Sequence, residues 1–251
     1  MNLSMDGKIV LVVGGAGSIG SVTAHRFAEL GARIVISHLD IAAEASAAAK
    51  IVASLPGEGH VALVADVAQT KTLVALRSEI ERRFGRLDVL INAAGFTKPV
   101  PHADLDALDD ELIDRMFAVN WRGQFAAIRT FAPLLKASGD GLIVSISSIA
   151  GTNGIGSSIA YCAAKAGIDV MTKSLARVLA PEVRVLAIAP GVVDTGFVPG
   201  RGADFNSKVA ATTPLKRIAT AEDIGSAILG CATQMSFATG TTFVVDGGRS
   251  L

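Results

Sequence analysis

The chain has 251 residues, half of them hydrophobic, and its 23 Lys and Arg are balanced by 23 Asp and Glu. A chain of that size can bury a sizeable core without disulfides or a structural metal, so disorder is excluded as the main state. The absence of a basic excess speaks against nucleic-acid binding. The early apolar run 9–13 falls far short of the roughly 18 residues a membrane span needs, and no secretion signal is read in residues 1–7. Two cysteines, Cys162 and Cys231, without CxxC spacing, fit a thiol-reducing compartment, so a cytoplasmic location is expected.

Short aliphatic runs alternate with alanine-rich stretches of helical spacing. Strands are predicted at 8–13, 33–37, 61–65, 87–91, 142–147, 183–189 and 242–245, each near-continuously apolar, as strands buried on both faces should be. Helices are predicted at 19–30, 41–55, 70–84, 108–137 (broken near Phe117), 158–179 and 221–233. This alternation implies an α/β fold, a doubly wound parallel seven-stranded sheet with helices on both faces. No repeat or linker divides the chain, so one domain over residues 1–251 is expected. A (β/α) barrel also fits this length; the glycines after the first strand decide against it.

The first strand runs into Gly14-Gly15-Ala16-Gly17-Ser18-Ile19-Gly20 and then into a helix. Glycines at such a turn let backbone N–H groups approach a pyrophosphate at the positive end of the helix dipole, and Gly14, Gly17 and Gly20 are the candidates. The bland alternative is a tight turn that only packs helix on sheet. The second strand ends in Ser37-His38-Leu39-Asp40, with no Lys or Arg to hold a 2′-phosphate. Asp40 would repel that phosphate, so NAD is preferred, with NADP as the alternative. Asp40 equally suits an N-cap of the second helix.

Further segments complete a pattern: Asn92-Ala93-Ala94-Gly95, Asn120, Ser148 with Tyr161 and Lys165, Pro190-Gly191 leading to Thr195, and the closing run from Thr241 to Gly248. With these the chain resembles the classical short-chain dehydrogenase/reductases over essentially its whole length. It departs from the family at Val13, usually threonine; at Ser18, usually glycine; at Ala93 in the Asn-Ala-Ala-Gly run; and at His38, where NAD-preferring members carry an acid. The resemblance implies cofactor contacts at Ser18, Ile19, His38, Asp40, Asp66, Val67, Asn92, Ala93, Gly95, Pro190, Gly191, Val193 and Thr195, besides the three glycines and the Tyr161–Lys165 pair. Three of these have plainer readings. The run Asp66-Val67-Ala68-Gln69 is equally a helix capping box, Asn92 could brace the central strands, and Thr195 could cap the next segment.

Tyr161 and Lys165, four apart on a predicted helix, share one face. A free phenol, with pKa of about 10, would be ionised about once in a thousand at pH 7, so acting as a base requires nearby positive charge. The resemblance assigns that charge to Lys165 and the oxidised nicotinamide, gives Ser148 the substrate oxygen, and makes Asn120 the holder of a water that relays protons from Lys165. Tyr161 is the only tyrosine, so no other phenol could replace it. Cys162 reads as a packing residue. His25, His60 and His102 are scattered, so no metal is expected.

The implied activity is hydride transfer between a nicotinamide dinucleotide and a secondary alcohol or ketone. The alternatives are a 3-oxoacyl-carrier-protein-type NADPH reductase and a non-catalytic dinucleotide sensor. Sugar-nucleotide epimerases of the extended fold need about a hundred more residues. Specificity is expected from segments 96–102, 152–157 and 197–214, the last within a lid at about 195–215 whose cations are Arg201 and Lys208. The small and apolar residues of the fourth and fifth predicted helices exceed one core-facing stripe, and a homotetramer, alternatively a dimer, is expected.

Overall fold

In a computed structural model that describes residues 3–200, 202 and 204–251, the seven strands form one parallel sheet. They are β1 (Ile9–Val13), β2 (Arg33–His38), β3 (Val61–Val64), β4 (Val89–Asn92), β5 (Gly141–Ile146), β6 (Val183–Pro190) and β7 (Thr241–Val245), in the order β3-β2-β1-β4-β5-β6-β7. The order reverses between β1 and β4, where crossovers leave for opposite sides and a crevice opens at the carboxyl ends of the strands.

Alternation within the strands builds two cores. Leu11, Leu90, Ile143 and Val185 face α3 (Thr70–Phe84), α5 (Gln124–Ala137) and α7 (Ile159–Leu179). Val10, Val12, Ile91 and Val144 face α1 (Ser18–Glu29), α2 (Ala42–Ser54) and α9 (Ala221–Thr233). The expectation of full burial on both faces fails at β3 and β7, which are only half-buried because they are the sheet's edges.

The predicted helix at 108–137 is three pieces: α4 (Asp110–Phe117), a π-helical turn (Ala118–Gly123) and α5. The Asn120 side chain donates to the Met116 carbonyl at 3.0 Å, the acceptor that its own N–H would use in an α-helix, and so competes with the regular ladder at that point. Sequence periodicity also missed two short helices, α6 (Ala150–Asn153) and α8 (Phe205–Thr212), the latter inside the expected lid. Arg201 lies outside the described residues.

The turn after β1 rests on close approach. Gly14 has φ +75°, and a Cβ there would lie 2.6 Å from the Ala94 Cα, just beyond β4. Gly14→Ala should therefore cost about 2 kcal/mol or more, lowering the thermal midpoint by about 4–8 °C in a chain of this size. Calorimetry of the purified variant checks it; an unchanged midpoint contradicts the close approach.

Candidate active site

At the turn, the Gly14 N–H donates to Ser37 Oγ (3.3 Å) and the Gly15 N–H to the Ser37 carbonyl (3.2 Å), tying the loop to β2. Gly17 precedes α1 with extended backbone and no capping side chain, so no side chain takes up the first-turn amides of Ser18, Ile19 and Gly20. A Cβ on Gly20 would lie 2.6 Å from the Gly14 carbonyl oxygen. The first-turn amides, left without a side-chain cap beside this close-packed turn, have the form that could accept a pyrophosphate.

The neighbouring strand ends hold the next group of predicted residues. His38 is buried at the end of β2, its Nδ1 2.8 Å from the Leu39 carbonyl oxygen, and Asp40 is exposed beyond it. Asp40 is not the helix cap: the N-cap of α2 is Ile41, because the chain stays extended one residue longer. Instead Glu44 reaches back and accepts the Leu39 N–H at 3.0 Å. Sequence reading missed this second acid, whose only signal was its place in the first turn of α2.

Asp66 does not open a capping box either, since the N-cap of α3 is Gln69. The Asp66 carboxylate accepts the Ala68 N–H (2.8 Å) and the Gln69 side-chain amide (3.0 Å), and so closes a turn ahead of the helix. Buried Val67 packs so closely on Gly123 that a Cβ there would lie 2.9 Å from its side chain, which sets the π-helical turn against the end of β3.

The chemistry-bearing side chains come from β5, the turn after it, and α7. Lys165 is 3% exposed, and its Nζ donates to the Ile146 carbonyl at 2.6 Å. The same Nζ lies 5.6 Å from the centroid of the Tyr161 ring. Ser147 is buried and donates to the Lys165 carbonyl (3.2 Å), so it braces α7. Ser148 is half-buried at the cleft, its Oγ accepting the Ala150 N–H (3.2 Å). The two serines thus differ in place: Ser147 ties β5 to α7, while Ser148 stands half-buried on the turn after β5. Gly151 lets α6 meet α7, where a Cβ would lie 2.7 Å from the Ala166 nitrogen, and this fixes the Ser148 turn against the helix that carries Tyr161.

Asn120 is buried, and its side chain is engaged on all sides. It accepts the Phe96 N–H (3.1 Å) and donates to the Phe96 carbonyl (2.8 Å) as well as to Met116. Its amide therefore clamps the loop after β4. Asn92 does brace the central strands, donating to Ser145 Oγ on β5 at 3.3 Å, while its buried Oδ1 has no partner. The Ala93 N–H donates to the Val13 carbonyl (2.9 Å), and Gly95 lies exposed at the cleft.

On the far side, the Pro190 carbonyl accepts the Ile149 N–H (3.0 Å), and Gly191 packs where a Cβ would meet Asp246 at 2.9 Å. Val193 bridges to Ala219. Thr195 Oγ1 accepts the Phe197 N–H at 3.4 Å, a weak cap of the following turn. Lys208 pairs with Asp204. Cys162 is buried, and burial pushes its thiol pKa up, away from nucleophilic use. Among the described residues no His, Cys, Asp and Glu group could hold a metal. Two aromatic residues at the cleft, Phe96 and Phe197, had no signal beyond their place in apolar loops.

The family profile described as Enoyl-(Acyl carrier protein) reductase matches residues 14–250. A protein of Streptomyces violaceoruber named as a ketoacyl reductase of the granaticin polyketide synthase is 36% identical over 98% of this chain and 97% of its own. The cis-4-hydroxycyclohexanecarboxylate dehydrogenase of Sinomonas cyclohexanicum is 37% identical over 96% of each. A solved short-chain dehydrogenase/reductase of Brucella melitensis, titled glucose/ribitol dehydrogenase, superposes with a TM-score of 0.90 at 28% identity over 99% of both chains. The chain belongs to the short-chain dehydrogenase/reductase family, oxidoreductases that bind a nicotinamide dinucleotide.

The residues present fit that cofactor. The turn would be filled by any side chain at Gly14 or Gly20, Asn92 Oδ1 is an unused buried acceptor, and the buried Lys165 ammonium makes one hydrogen bond among its three donors. Burial lowers the Lys165 pKa from 10.5 to about 8, against the opposing pull of Asp169. With the folded value below the unfolded one, the cost of the buried charge is fully present below about pH 8 and disappears as pH rises toward 10.5. Lys165→Met should thus be more stable than the parent at pH 7, by about 2 kcal/mol after discounting the Ile146 carbonyl left without a donor. Urea unfolding at pH 7 and pH 10 tests it, with the gap closing at the higher pH; a variant less stable at pH 7 contradicts this account.

Proposed function

We propose that the chain transfers hydride between a nicotinamide dinucleotide and the carbinol or carbonyl carbon of a secondary alcohol or ketone, with Tyr161 as acid and base. The observation that carries this reading is the Lys165 ammonium, buried beneath the Tyr161 ring and anchored on the Ile146 carbonyl. In oxidation the Tyr161 phenolate, stabilised by positive charge at Lys165, takes the hydroxyl proton and becomes the neutral phenol. In reduction the neutral phenol gives its proton to the carbonyl oxygen. Ser148 Oγ hydrogen-bonds that oxygen and steadies the charge developing on it. The bound nicotinamide supplies the hydride donor or acceptor. Asn120 acts through Phe96, holding the cleft wall beside the reacting carbon.

NAD is the preferred cofactor in this reading. Asp40 and Glu44 place two acids after β2, and no Lys or Arg occurs between Arg33 and Lys50. The chain works as one cofactor-binding unit in the cytoplasm, with residues 195–215 as its lid; none of its described helices is long and apolar enough to cross a membrane. Reduction of a 3-oxoacyl thioester with NADPH is the second reading, favoured by the name of the Streptomyces relative.

Four copies are expected to assemble through α4, the π-helical turn, α5 and α7. Val170 and Val178 stand exposed on α7, and Phe117 and Trp121 line a surface cavity of about 700 Å³ beside α4. Light scattering should give a mass near four chains, and a monomer at micromolar concentration removes this assembly. For the reaction, Tyr161→Phe should lower turnover of a secondary-alcohol panel by about 10²–10⁴-fold while NADH still quenches Trp121 as in the parent. In the same titration NADH should bind at least about ten-fold tighter than NADPH, a gap of about 1.4 kcal/mol. Retained turnover in the variant rejects Tyr161 as the acid and base, and tighter NADPH binding favours the thioester reductase.

A further inference from the structure

We propose that Phe197 selects the substrate, and that the selected class is ketones and secondary alcohols carrying a ring at or beside the reacting carbon. The inference rests on the proposed function only for the position of the reacting oxygen, at Tyr161. The Phe197 ring lies across the cleft. Its centroid is 6.2 Å from that of Tyr161 with the planes tilted by 51°, and its tip lies 3.4 Å from where a Cβ on Gly95 would be. A molecule whose oxygen reaches Tyr161 must share this space with Phe197.

The other walls have little room to give. Asn120 holds Phe96 by both its N–H and its carbonyl, and the Arg115 guanidinium lies 4.2 Å from the Phe96 ring centroid. The next stretch of the loop is stitched to the segment before α7 by the Thr97–Ser157 hydroxyl pair and by the Val100 N–H on the Ser157 carbonyl (2.7 Å). Phe96, Val100 and Tyr161 belong to one apolar cluster there.

Phe197 is the adjustable wall. It is 40% exposed, stands outside helix and strand, and its backbone N–H makes a single long bond to Thr195. Its tilted contact with Tyr161 is of the kind aromatic pairs favour, and a substrate that displaces it forfeits that contact. A ring on the substrate restores it by stacking on Phe197, whereas a short open chain leaves the Phe197 face against water.

The test reads binding rather than turnover. NADH-saturated protein carrying Tyr161→Phe, which suppresses oxidation of the cofactor during the titration, serves as the parent. It is titrated with acetophenone, cyclohexanone and 2-butanone, following the cofactor's fluorescence, alone and combined with Phe197→Ala, Phe197→Leu and Phe197→Tyr. Both ring ketones should bind the parent at least about ten-fold tighter than 2-butanone. Phe197→Ala and Phe197→Leu should lose that ratio, and Phe197→Tyr should keep it. Where a ketone turns over with Tyr161 retained, KM should move and kcat should not. Undisturbed quenching of Trp121 by NADH checks that the variants are folded. A ratio near one in the parent, or a ratio unchanged in Phe197→Ala, overturns the proposal, as does failure of the ring ketones to bind. Ring preference without turnover when Tyr161 is retained would overturn the reaction and leave this selection standing, while turnover with a ratio independent of Phe197 would do the reverse.

Discussion

A primary ammonium kept almost wholly out of water, held by the Ile146 carbonyl at 2.6 Å, sets the terms for the rest of the molecule. Taking that charge from water is costly unless it is hydrogen-bonded, and the bond it makes is to the last residue of β5, at the carboxyl end of the sheet. Lys165 therefore docks α7 at a fixed height, and Tyr161, one turn earlier on the same face, arrives at the cleft as a consequence. The Ser147 hydroxyl on the Lys165 carbonyl repeats the tie from the strand side. The chain gives up some stability at this point for a group whose pKa of about 8 keeps it mostly charged at neutral pH, where positive charge beside a phenol is useful.

A second constraint is steric. Gly14, Gly20 and Gly123 each occupy positions where a methyl group would meet a neighbour at 2.9 Å or less, two at the turn after β1 and one beneath the end of β3. These close approaches bring the turn, the loop after β4 and the π-helical turn together along one crevice. Asn120 links that crevice to the substrate side: by taking the Met116 carbonyl it disturbs the helix, and by taking both backbone groups of Phe96 it fixes an aromatic wall. A residue that the family resemblance ties to a relayed water thus also has a mechanical task.

Much of this was legible in the sequence. All seven strands came out of aliphatic runs, because a strand covered on both faces has no polar positions to blur the signal, and even the edge strands β3 and β7 kept enough apolar residues to be found. The glycine turn, Ser148, Tyr161 and Lys165 were legible because their spacings are short or fixed within one element. Helix caps were not: Ile41 and Gln69 cap α2 and α3, where Asp40 and Asp66 were the alternative cap readings, since one extended residue follows Asp40 and a turn follows Asp66 before each helix starts.

The sequence by itself determined the doubly wound sheet, the glycine turn after β1 and the Tyr161–Lys165 pair, because hydrophobic period, glycine placement and i,i+4 spacing are local properties. Only the tertiary structure decided what those residues touch: that Ser147 braces while Ser148 faces the cleft, that Asn120 clamps Phe96, that Glu44 joins Asp40 beside β2, and that Phe197 crosses from the segment after β6 to Tyr161. Each of these joins positions separated by a crossover or a loop, and such distances are set by how the layers pack, which no window of sequence contains.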